Sequence, residues 1–471
     1  MNVTKVLAFS IGPIGASLLG LVTLPIIAWF FAPEDLGRLS MMQVVISFSV
    51  LLFSLGLDQA YVREFHEVDN KTGLLKAVVM PGLLLLVLVT FTILLLNWPV
   101  SKLLFDIDSF LLTVLVFFSI FVSFFSRFLG LILRMQERGL AYSMSQLLPK
   151  LFLLIIVLCY VYFDVEPRFH NLMIANALAL MVVLLVYAWN TRKIWILVFS
   201  TQICKAKLNE MLMYSIPLVG SAIAYWGLTS MDKVFLRALV GFDELAIYAI
   251  AVTFAGAALV FQAIFSTVWA PTVYKWAAEG VDPKKIKNII DYVTLGIVCI
   301  WALAGMFSWL LAYILPPTYR SVPYILLAAM ANPLLYTLAQ ATGIGVGIKR
   351  KTMFTLIAAI SALIVNALGN WYLIPSYGAA GAALASAIAF MIFFIIRTES
   401  SAALWIRFDN KRMYGLIISM VALSFVVNIW QLDKWLMAIL YTIMLMVGLL
   451  LFPEQRKGFW AFVTRGSIKV R

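Results

Sequence analysis

Two basic side chains fall inside long apolar runs of the sequence, where a charge is costly. Arg127 lies about 10 Å from the nearer end of its run and Lys150 about 13 Å from the nearer end of the next, at about 1.5 Å per residue. An unpaired Arg or Lys at a bilayer centre costs about 2.5 to 3.5 kcal/mol. We therefore expect both to face an aqueous cavity and hold an anion, unless they extend to the nearby headgroup layer.

A single acidic residue, Asp58, also falls within a predicted span. A carboxylate at this depth could couple transport to a proton or cation. The competing interpretation is structural, in which Asp58 pairs with Arg63 or caps a loop. Both interpretations stay open at the level of sequence.

Other chemistry is weakly represented in the sequence. The three cysteines have no paired or CxxC spacing and the two histidines are far apart, so we expect no disulfide framework, no metal site and no cofactor. The stretch GIGVGI at 343–348 follows no strand and lacks the Gly-Lys-Ser/Thr ending of a phosphate loop. We expect its glycines to let a helix bend or pack, and we predict that the chain is not an enzyme.

Composition defines the solvent of this protein. Of the 471 residues, 63% are hydrophobic and only 12% are charged, with a mean hydropathy of +1.00. A soluble domain has about twice that charged fraction. The chain must therefore use lipid as its solvent, which excludes a water-soluble enzyme.

Long apolar runs separated by short polar breaks predict an all-α polytopic membrane protein with about fourteen transmembrane helices. Each run is long enough for the roughly 20 residues that a crossing needs. Stretches such as LLLLVLVTFTILLL at 83–96 lack the alternation of a β-barrel strand. The predicted spans are 9–31, 40–62, 77–97, 110–133, 142–163, 170–190, 212–233, 245–269, 289–315, 323–347, 353–374, 378–398, 413–430 and 434–452.

Basic residues predict the orientation of these spans. With the N-terminus in the cytoplasm, 26 of the 35 Lys and Arg residues fall on the cytoplasmic side and 7 on the other side. This is the positive-inside bias, and it predicts that both termini are cytoplasmic. Because these residues are spread over eight cytoplasmic segments, the net charge of +13 does not indicate nucleic-acid binding.

A weak internal repeat predicts two similar lobes. SIGPIGA at 10–16 resembles SIPLVGSA at 215–222, and APEDLGRLS at 32–40 resembles GFDELAIYA at 241–249. Repeated lobes around a central site are a common transporter plan. We expect an N-terminal six-helix lobe at 1–190, a cytoplasmic linker at 191–211, a C-terminal six-helix lobe at 212–398, and a helical hairpin with a cytoplasmic tail at 399–471. The linker is expected to be an amphipathic surface helix or a plain loop.

One segment resembles a known family. VNALGNWYLIPSYGAAGAALASAIAF at 365–390 is similar to the hallmark segment of polysaccharide and O-antigen flippases. FAPEDLGRLS at 31–40, LGLDQAYVREF at 55–65 and the run at 216–251 are also similar to that family. The chain thus resembles Wzx-type members of the multidrug/oligosaccharidyl-lipid/polysaccharide exporter superfamily.

The resemblance implies a function and its partners. Proteins of that family move undecaprenyl-diphosphate-linked oligosaccharides, such as O-antigen repeat units, from the cytoplasmic to the periplasmic leaflet of the bacterial inner membrane by alternating access. Expected partners are that lipid-linked sugar, membrane lipids and other polysaccharide assembly proteins, with no nucleic acid. The anion held by Arg127 and Lys150 would then be a diphosphate.

The resemblance also gives roles to polar residues of two spans. It places an acidic-basic pair such as Asp232 and Lys233 near the outer end of the seventh span, followed by Arg237, for gating or outer-side contacts. Asn366 and Asn370 lie one turn apart, where they could contact sugar or form a helix-to-helix hydrogen bond.

Three alternative functions remain. A lipid II, teichoic acid or exopolysaccharide exporter would share the anionic carrier. A drug or toxin exporter of the same superfamily would favour carboxylates for cationic substrates, whereas the excess charge within the spans here is positive. A membrane polysaccharide polymerase would usually carry a large outer loop, and the longest outer loops here have roughly ten residues.

Overall fold

The computed structural model describes residues 3–198, 200–201 and 205–458. Over these residues the chain is helical and contains no β-strand, which confirms the predicted all-α polytopic fold. The chain divides into two compact units, Met1–Arg237 and Ala238–Arg471. The predicted cytoplasmic tail lies outside the described residues from 459 onward.

Nine helices begin among the described residues of the first unit, and the last of them ends two residues beyond its boundary. Their bounds are α1 (Val3–Phe30), α2 (Pro33–Phe53), α3 (Leu57–Glu64), α4 (Lys71–Leu95), α5 (Val100–Phe105), α6 (Phe110–Met135), α7 (Gly139–Tyr162), α8 (Phe169–Val198) and α9 (Lys205–Leu239). Since α8 continues to Val198, residues 191–198 extend the sixth span and do not form a separate surface helix. Residues 199 and 202–204 of the expected linker lie outside the described residues.

The second unit holds ten α-helices within its described residues. Their bounds are α10 (Phe242–Ala255), α11 (Ala258–Glu279), α12 (Pro283–Phe307), α13 (Leu311–Ile314), α14 (Val322–Ala329), α15 (Ala331–Thr342), α16 (Ile344–Ile348), α17 (Met353–Leu404), α18 (Lys411–Trp430) and α19 (Lys434–Leu451). The final hairpin predicted at 413–452 is therefore a pair of long apolar helices.

Eleven described helical stretches are long and apolar enough to cross a bilayer, or twelve if α10 and α11, bent by 48°, form one span. One of the eleven, α17, bends at Gly378, leaving 25 helical residues before it and 26 after it. Each half is long enough to cross. With α17 as two spans and the shorter apolar helix Ile14–Phe30 as another, the helices follow the fourteen predicted segments in order.

The bend in α17 depends on glycine. Gly378 has φ 54° and ψ −131°, a conformation that a side chain makes costly. A Cβ atom there would meet the Glu244 carboxylate, whose Oε2 accepts the N–H of Ala379 at 2.7 Å. This bond satisfies a backbone donor at the start of the second half of α17, where a helix leaves such donors unpaired.

Polar and glycine contacts hold the other helices of the second unit together. Trp301 on α12 is fully buried and donates its indole N–H to the carbonyl of Leu327 at 2.9 Å. In the GIGVGI stretch, Gly345 donates its N–H to Ser401 Oγ at 3.0 Å, and a Cβ on Gly347 would meet the Tyr274 hydroxyl. The glycines therefore let α16 pack against α17 and α11, as expected.

In the first unit, a break near the end of α2 reorients the chain. Leu55 and Gly56 both have positive φ, of 51° and 68°, and α3 begins at Leu57. A Cβ on Gly56 would meet the carbonyl oxygen of Ser215. The predicted span 40–62 is therefore two helices, and the break turns the start of α3 toward α6.

Aromatic packing surrounds α6, the helix that carries Arg127. Phe124 and Phe128 are buried with ring centroids 5.1 Å apart in an edge-on arrangement. Gly82 on α4 lets the backbone approach Phe53, since a Cβ there would overlap that residue's carbonyl. Within α2, Arg38 pairs with Glu34 at 2.7 Å and with Asp35 at 3.0 Å. The ring of Phe124 also lies close to Gly82, so α6 packs against α4 at this glycine.

Substitution of Gly378 tests the bend. Gly378→Ala should lower the Tm of the purified protein, because alanine at this φ and ψ costs about 1 to 3 kcal/mol and its Cβ meets Glu244. Gly415→Ala is the matched control, since nothing lies within 4 Å of a Cβ at that position in α18. Its Tm should be unchanged or raised, because alanine favours a helix by up to about 1 kcal/mol. Equal Tm values for the two variants would contradict this account.

Candidate functional site

The first unit contains a cavity of about 610 Å³, here called the arginine cavity. Helices α2, α3, α6, α7, α8 and α9 line it, and serine, glutamine, tyrosine and charged side chains make up half of the lining. The polar lining residues are Ser47, Ser54, Asp58, Gln59, Ser123, Ser126, Arg127, Arg134, Tyr142, Ser145, Gln146 and Tyr187. So many polar groups in an apolar bundle indicate a hydrated chamber.

An ion pair forms one wall of the arginine cavity. Arg127 donates through Nη2 and Nε to the same oxygen of Asp58, Oδ2, at 2.6 and 3.2 Å. Gln59 Nε2 donates to that oxygen at 3.3 Å. The Asp58 side chain is 7% exposed and that of Arg127 is 49% exposed. The pair thus has a buried anion and a cation that still faces the chamber.

The pairing with Arg127 replaces the structural partner that the sequence suggested for Asp58. Asp58 contacts Arg127, which is 69 residues away in the sequence, and not Arg63. Nor does its side chain cap α3. Arg63 lies 3.7 Å from Glu64 and over the ring of Tyr214, with 4.5 Å to the ring centroid. The pairing of Asp58 with Arg63 was therefore wrong.

A second cation, Arg134, lines the same cavity. It follows Arg127 by seven residues, so the two project from one face of α6 about 10 Å apart along the axis. Arg134 is exposed and has no hydrogen bond or ion pair with any residue that the structure describes. With one carboxylate and two guanidinium groups, the lining carries a net charge of +1.

Helix α7 supplies a polar face opposite these charges. Tyr142, Gln146 and Pro149 line the cavity at spacings of four and three residues, which puts them on one side of the helix. Tyr187 on α8 donates to Ser145 Oγ at 2.5 Å, and Ser145 donates to the carbonyl of Tyr142 at 2.5 Å. This chain of hydrogen bonds joins α7 to α8 and fixes the tyrosine beside the chamber.

Lys150, expected to share a cavity with Arg127, lies elsewhere on α7. It is half-buried and does not line the arginine cavity. Its positive charge interacts electrostatically with that of Lys233 on α9. Within the described part of the chain, Lys150 has no hydrogen bond or ion pair. The structure therefore leaves Lys150 outside the chamber of Arg127.

The other predicted residues of the seventh span have varied surroundings. Asp232 is 1% exposed, and Lys233 follows it on α9. Arg237 donates to Asp106 Oδ1 at 2.5 Å and to the carbonyl of Leu103 at 3.1 Å. Arg237, near the end of this span, therefore forms an ion pair with Asp106, the residue that follows α5.

The two asparagines lie in the second unit and are fully buried. Asn366 donates to Ser386 Oγ at 3.3 Å, and Asn370 donates to Asn366 Oδ1 at 3.1 Å. Ser386 lies beyond the bend at Gly378, so these bonds join the two halves of α17. Of the two roles considered for these asparagines, the geometry matches the helix-to-helix hydrogen bond.

Sequence reasoning missed Arg134, Gln59 and Gln146 as lining residues. Arg134 directly follows the predicted span 110–133 and belongs to the basic residues assigned to the cytoplasmic side. Its seven-residue spacing from Arg127 was the available signal, because residues two turns apart share a helix face. Gln59 and Gln146 carried no comparable signal, since neither residue is charged.

Over its described residues the chain is a helical membrane protein with a polar chamber in its first unit. A profile of the family described as "Polysaccharide biosynthesis protein" matches residues 3–276. The chain belongs to this family of polysaccharide biosynthesis proteins. No curated protein sequence matches it.

Solved structures share the fold over most of the chain. A structure of the lipid II flippase MurJ in an inward closed conformation is similar with a TM-score of 0.68 and 15% identity, covering 97% of this chain and 99% of that one. An inward-facing multidrug resistance MATE family transporter of the MOP superfamily has a TM-score of 0.54 and 15% identity over 82% of this chain and 95% of that one. A MATE complex with MaD3S has a TM-score of 0.55 and 16% identity over 88% and 96%. At these identities the likeness concerns the fold.

A double-mutant cycle tests the ion pair. Arg127→Ala should lower the free energy of unfolding by about 1 to 3 kcal/mol, because it leaves a buried carboxylate with one weak donor. Asp58→Ala should cost less, since the half-exposed guanidinium keeps its water. The double variant should cost less than the sum of the two, by about 1 kcal/mol. Unfolding of the purified protein in detergent gives these values, with Arg134→Ala as the unpaired control. Strict additivity would contradict a direct pair.

Proposed function

We propose that the protein is a flippase that moves an undecaprenyl-diphosphate-linked oligosaccharide, an O-antigen or related polysaccharide repeat unit, from the cytoplasmic to the periplasmic leaflet by alternating access. The observation that carries this proposal is the arginine cavity, a hydrated chamber of net positive charge with two arginines on one helix face. Membership of the polysaccharide biosynthesis family also supports this proposal.

Arginine suits a diphosphate because its planar fork donates two parallel hydrogen bonds to phosphoryl oxygens. Arg134 has no competing partner among the described residues, so it is the first contact for the anion. Arg127 uses Nη2 and Nε on Asp58, and its Nη1 forms no hydrogen bond with a described residue. The diphosphate therefore binds Arg134 and then competes with Asp58 for Arg127.

Exchange of partners at Arg127 would link substrate to conformation. While Arg127 is paired with Asp58, it joins α6 to the short helix α3. A bound diphosphate weakens this link and frees Asp58, which then needs a new partner or a proton, since a buried carboxylate without one is costly. Asp58 is thus our candidate for coupling to a proton or cation, and transport that is unaffected by an uncoupler would exclude the proton.

The other charged and polar residues have subsidiary roles in this proposal. Lys150 and Lys233 form a second cationic position, to which the diphosphate moves after leaving the arginine cavity. Asp232 and Arg237 belong to the gate at the opposite end of the seventh span. Asn366 and Asn370 join the halves of α17, and sugar contact is their alternative role.

The setting follows from the charge distribution. We propose the inner membrane of a bacterium as the location, with both termini in the cytoplasm, because 26 of the 35 basic residues fall on one side of the predicted spans. Membrane lipids and other polysaccharide assembly proteins are the proposed partners. The six-helix lobes at 1–190 and 212–398 are the proposed moving bodies.

A lipid II, teichoic acid or exopolysaccharide exporter is the second candidate, since such carriers present the same anionic headgroup to the two arginines. Export of cationic drugs is less well supported, because the arginine cavity has a net positive charge. The identity of the accumulated carrier separates these candidates.

Deletion of the gene tests the class of function. The strain should accumulate lipid-linked single repeat units on the cytoplasmic side and lose surface polysaccharide, because the units are made and not moved. Mass spectrometry of extracted lipids, with and without access of a membrane-impermeant glycosidase, measures both the units and their side. Units that are translocated but not lengthened would indicate a polymerase, and accumulated lipid II would indicate the second candidate.

Substitutions in the arginine cavity test the site. Arg127→Gln and Arg134→Gln should each lower surface polysaccharide by about tenfold or more, the loss expected when a hydrogen bond to a charged group worth about 1.5 to 3 kcal/mol is removed. Lys150→Ala should also lower it. Arg192→Gln is the matched control, because Arg192 is exposed on α8 and does not line the arginine cavity. Normal polysaccharide in the cavity variants, at normal protein levels in the membrane, would remove these residues from the mechanism.

A further inference from the structure

The first unit contains a second cavity, of about 580 Å³, here called the headgroup cavity. It shares no lining residue with the arginine cavity. Its lining residues are Tyr61, Phe65, His66, Lys71, Thr72, Met135, Gln136, Arg138 and Ile194. The proposed transport mechanism uses none of these side chains, so the cavity requires a separate account.

The headgroup cavity lies where several helices end. It is lined by the end of α3, the start of α4, the end of α6 and the last turns of α8. Positive-inside bias predicts that these ends face the cytoplasm. The cavity is therefore expected at the level of the lipid headgroups of the cytoplasmic leaflet.

Two permanent cations form its rim, and both are held by neutral groups. Lys71 Nζ lies 4.7 Å from the ring centroid of Phe65. Arg138 donates to the backbone carbonyl of Asn190 at 2.9 Å and to its side-chain Oδ1 at 3.0 Å. Within the described residues, neither cation has an ion pair, and no carboxylate lines the cavity. Their charges are positioned without being neutralised.

The interior of the headgroup cavity is apolar. Tyr61 and Phe65 are buried with ring centroids 5.5 Å apart, and Met135 and Ile194 complete the apolar surface. Gln136, Thr72 and His66 add hydrogen-bonding groups to the rim. The combination of an apolar interior and a basic rim is suited to an amphiphile, since a soluble anion gains nothing from the apolar part.

We propose that the headgroup cavity binds the phosphate of an anionic membrane phospholipid, with Lys71 and Arg138 contacting the phosphate and the apolar interior receiving the glycerol and upper acyl region. Basic pockets between helices at the cytoplasmic surface are suited to such headgroups. Free phosphate shares the charged half of this chemistry and lacks the apolar half. The proposal does not rest on the identity of the transported substrate.

Occupancy of this site has a consequence for the arginine cavity. Helix α3 carries Asp58 at its start and Tyr61 one turn later, and these residues line the arginine cavity and the headgroup cavity respectively. A bound headgroup therefore braces the short helix that holds the partner of Arg127. The lipid would favour the conformation in which this ion pair is closed.

Binding to the purified full-length protein in a neutral detergent tests the site. The probes are short-chain phosphatidylglycerol, short-chain phosphatidylcholine and inorganic phosphate. Phosphatidylglycerol should bind most tightly, and the double variant with Lys71→Gln and Arg138→Gln should bind it about 25-fold more weakly, at about fivefold for each charge removed. The matched control removes two charges outside the cavity, with Arg192→Gln and Lys193→Gln, and should bind as the unsubstituted protein does.

Three outcomes would overturn the proposal or its lipid assignment. Equal binding of phosphatidylcholine and phosphatidylglycerol, or an unchanged affinity in the double variant, would overturn it. Inorganic phosphate that binds as tightly as phosphatidylglycerol and depends on the same two residues would overturn the lipid assignment in favour of a free-anion site. Charge-conserving variants Lys71→Arg and Arg138→Lys should retain binding, which separates loss of charge from loss of fold. Normal flipping with lost lipid binding would leave the proposed function intact.

Discussion

The ion pair between Asp58 and Arg127 is the interaction on which the first unit depends, because a charge among apolar helices needs either a counter-charge or water. Asp58 is buried and takes its counter-charge from Arg127, while the half-exposed guanidinium faces the cavity. The break at Leu55 and Gly56 makes this possible, since it starts a new helix that directs Asp58 toward α6.

The proposed function follows from the positive charge and the hydrogen-bond donor that this ion pair leaves unsatisfied. One carboxylate cannot neutralise two guanidinium groups, so the chamber retains a positive charge carried by Arg134 and a donor on Arg127. A diphosphate headgroup would complete the chamber electrostatically, and it would do so by displacing Asp58. The same helix α3 reaches the headgroup cavity, so in the proposed mechanism the surrounding lipid and the transported lipid would act on one short element.

Much of the fold could be predicted from the sequence, because long apolar runs must form helices in lipid. The predicted break between spans 353–374 and 378–398 falls where α17 bends at Gly378, although the helix continues on both sides of it. The break after α2 was missed, since the run through 40–62 contains no proline and only one charged residue. Leu55 has a positive φ, which is uncommon for a residue other than glycine and which the sequence did not indicate.

The candidate site was only partly predictable, for a similar reason. The cost of a charge in lipid predicted that Arg127 faces water, and it lines a cavity. The pairing of Arg127 with Asp58 could not be predicted, because 69 residues separate the two. For Asp58, Arg63 was a plausible partner much nearer in the sequence. Depth alone grouped Lys150 with Arg127, but depth does not specify the helix face, and Lys150 does not line the arginine cavity.

Direct binding of undecaprenyl diphosphate to the purified protein tests the central claim most directly. Undecaprenol is the matched probe, since it has the same chain without the anion. The account predicts that the diphosphate binds much more tightly than the alcohol. It also predicts that the double variant with Arg127→Gln and Arg134→Gln loses this difference, by about tenfold or more for each arginine, while undecaprenol binding is unchanged. Equal affinities for the two probes, or a diphosphate affinity that does not change in the double variant, would contradict it.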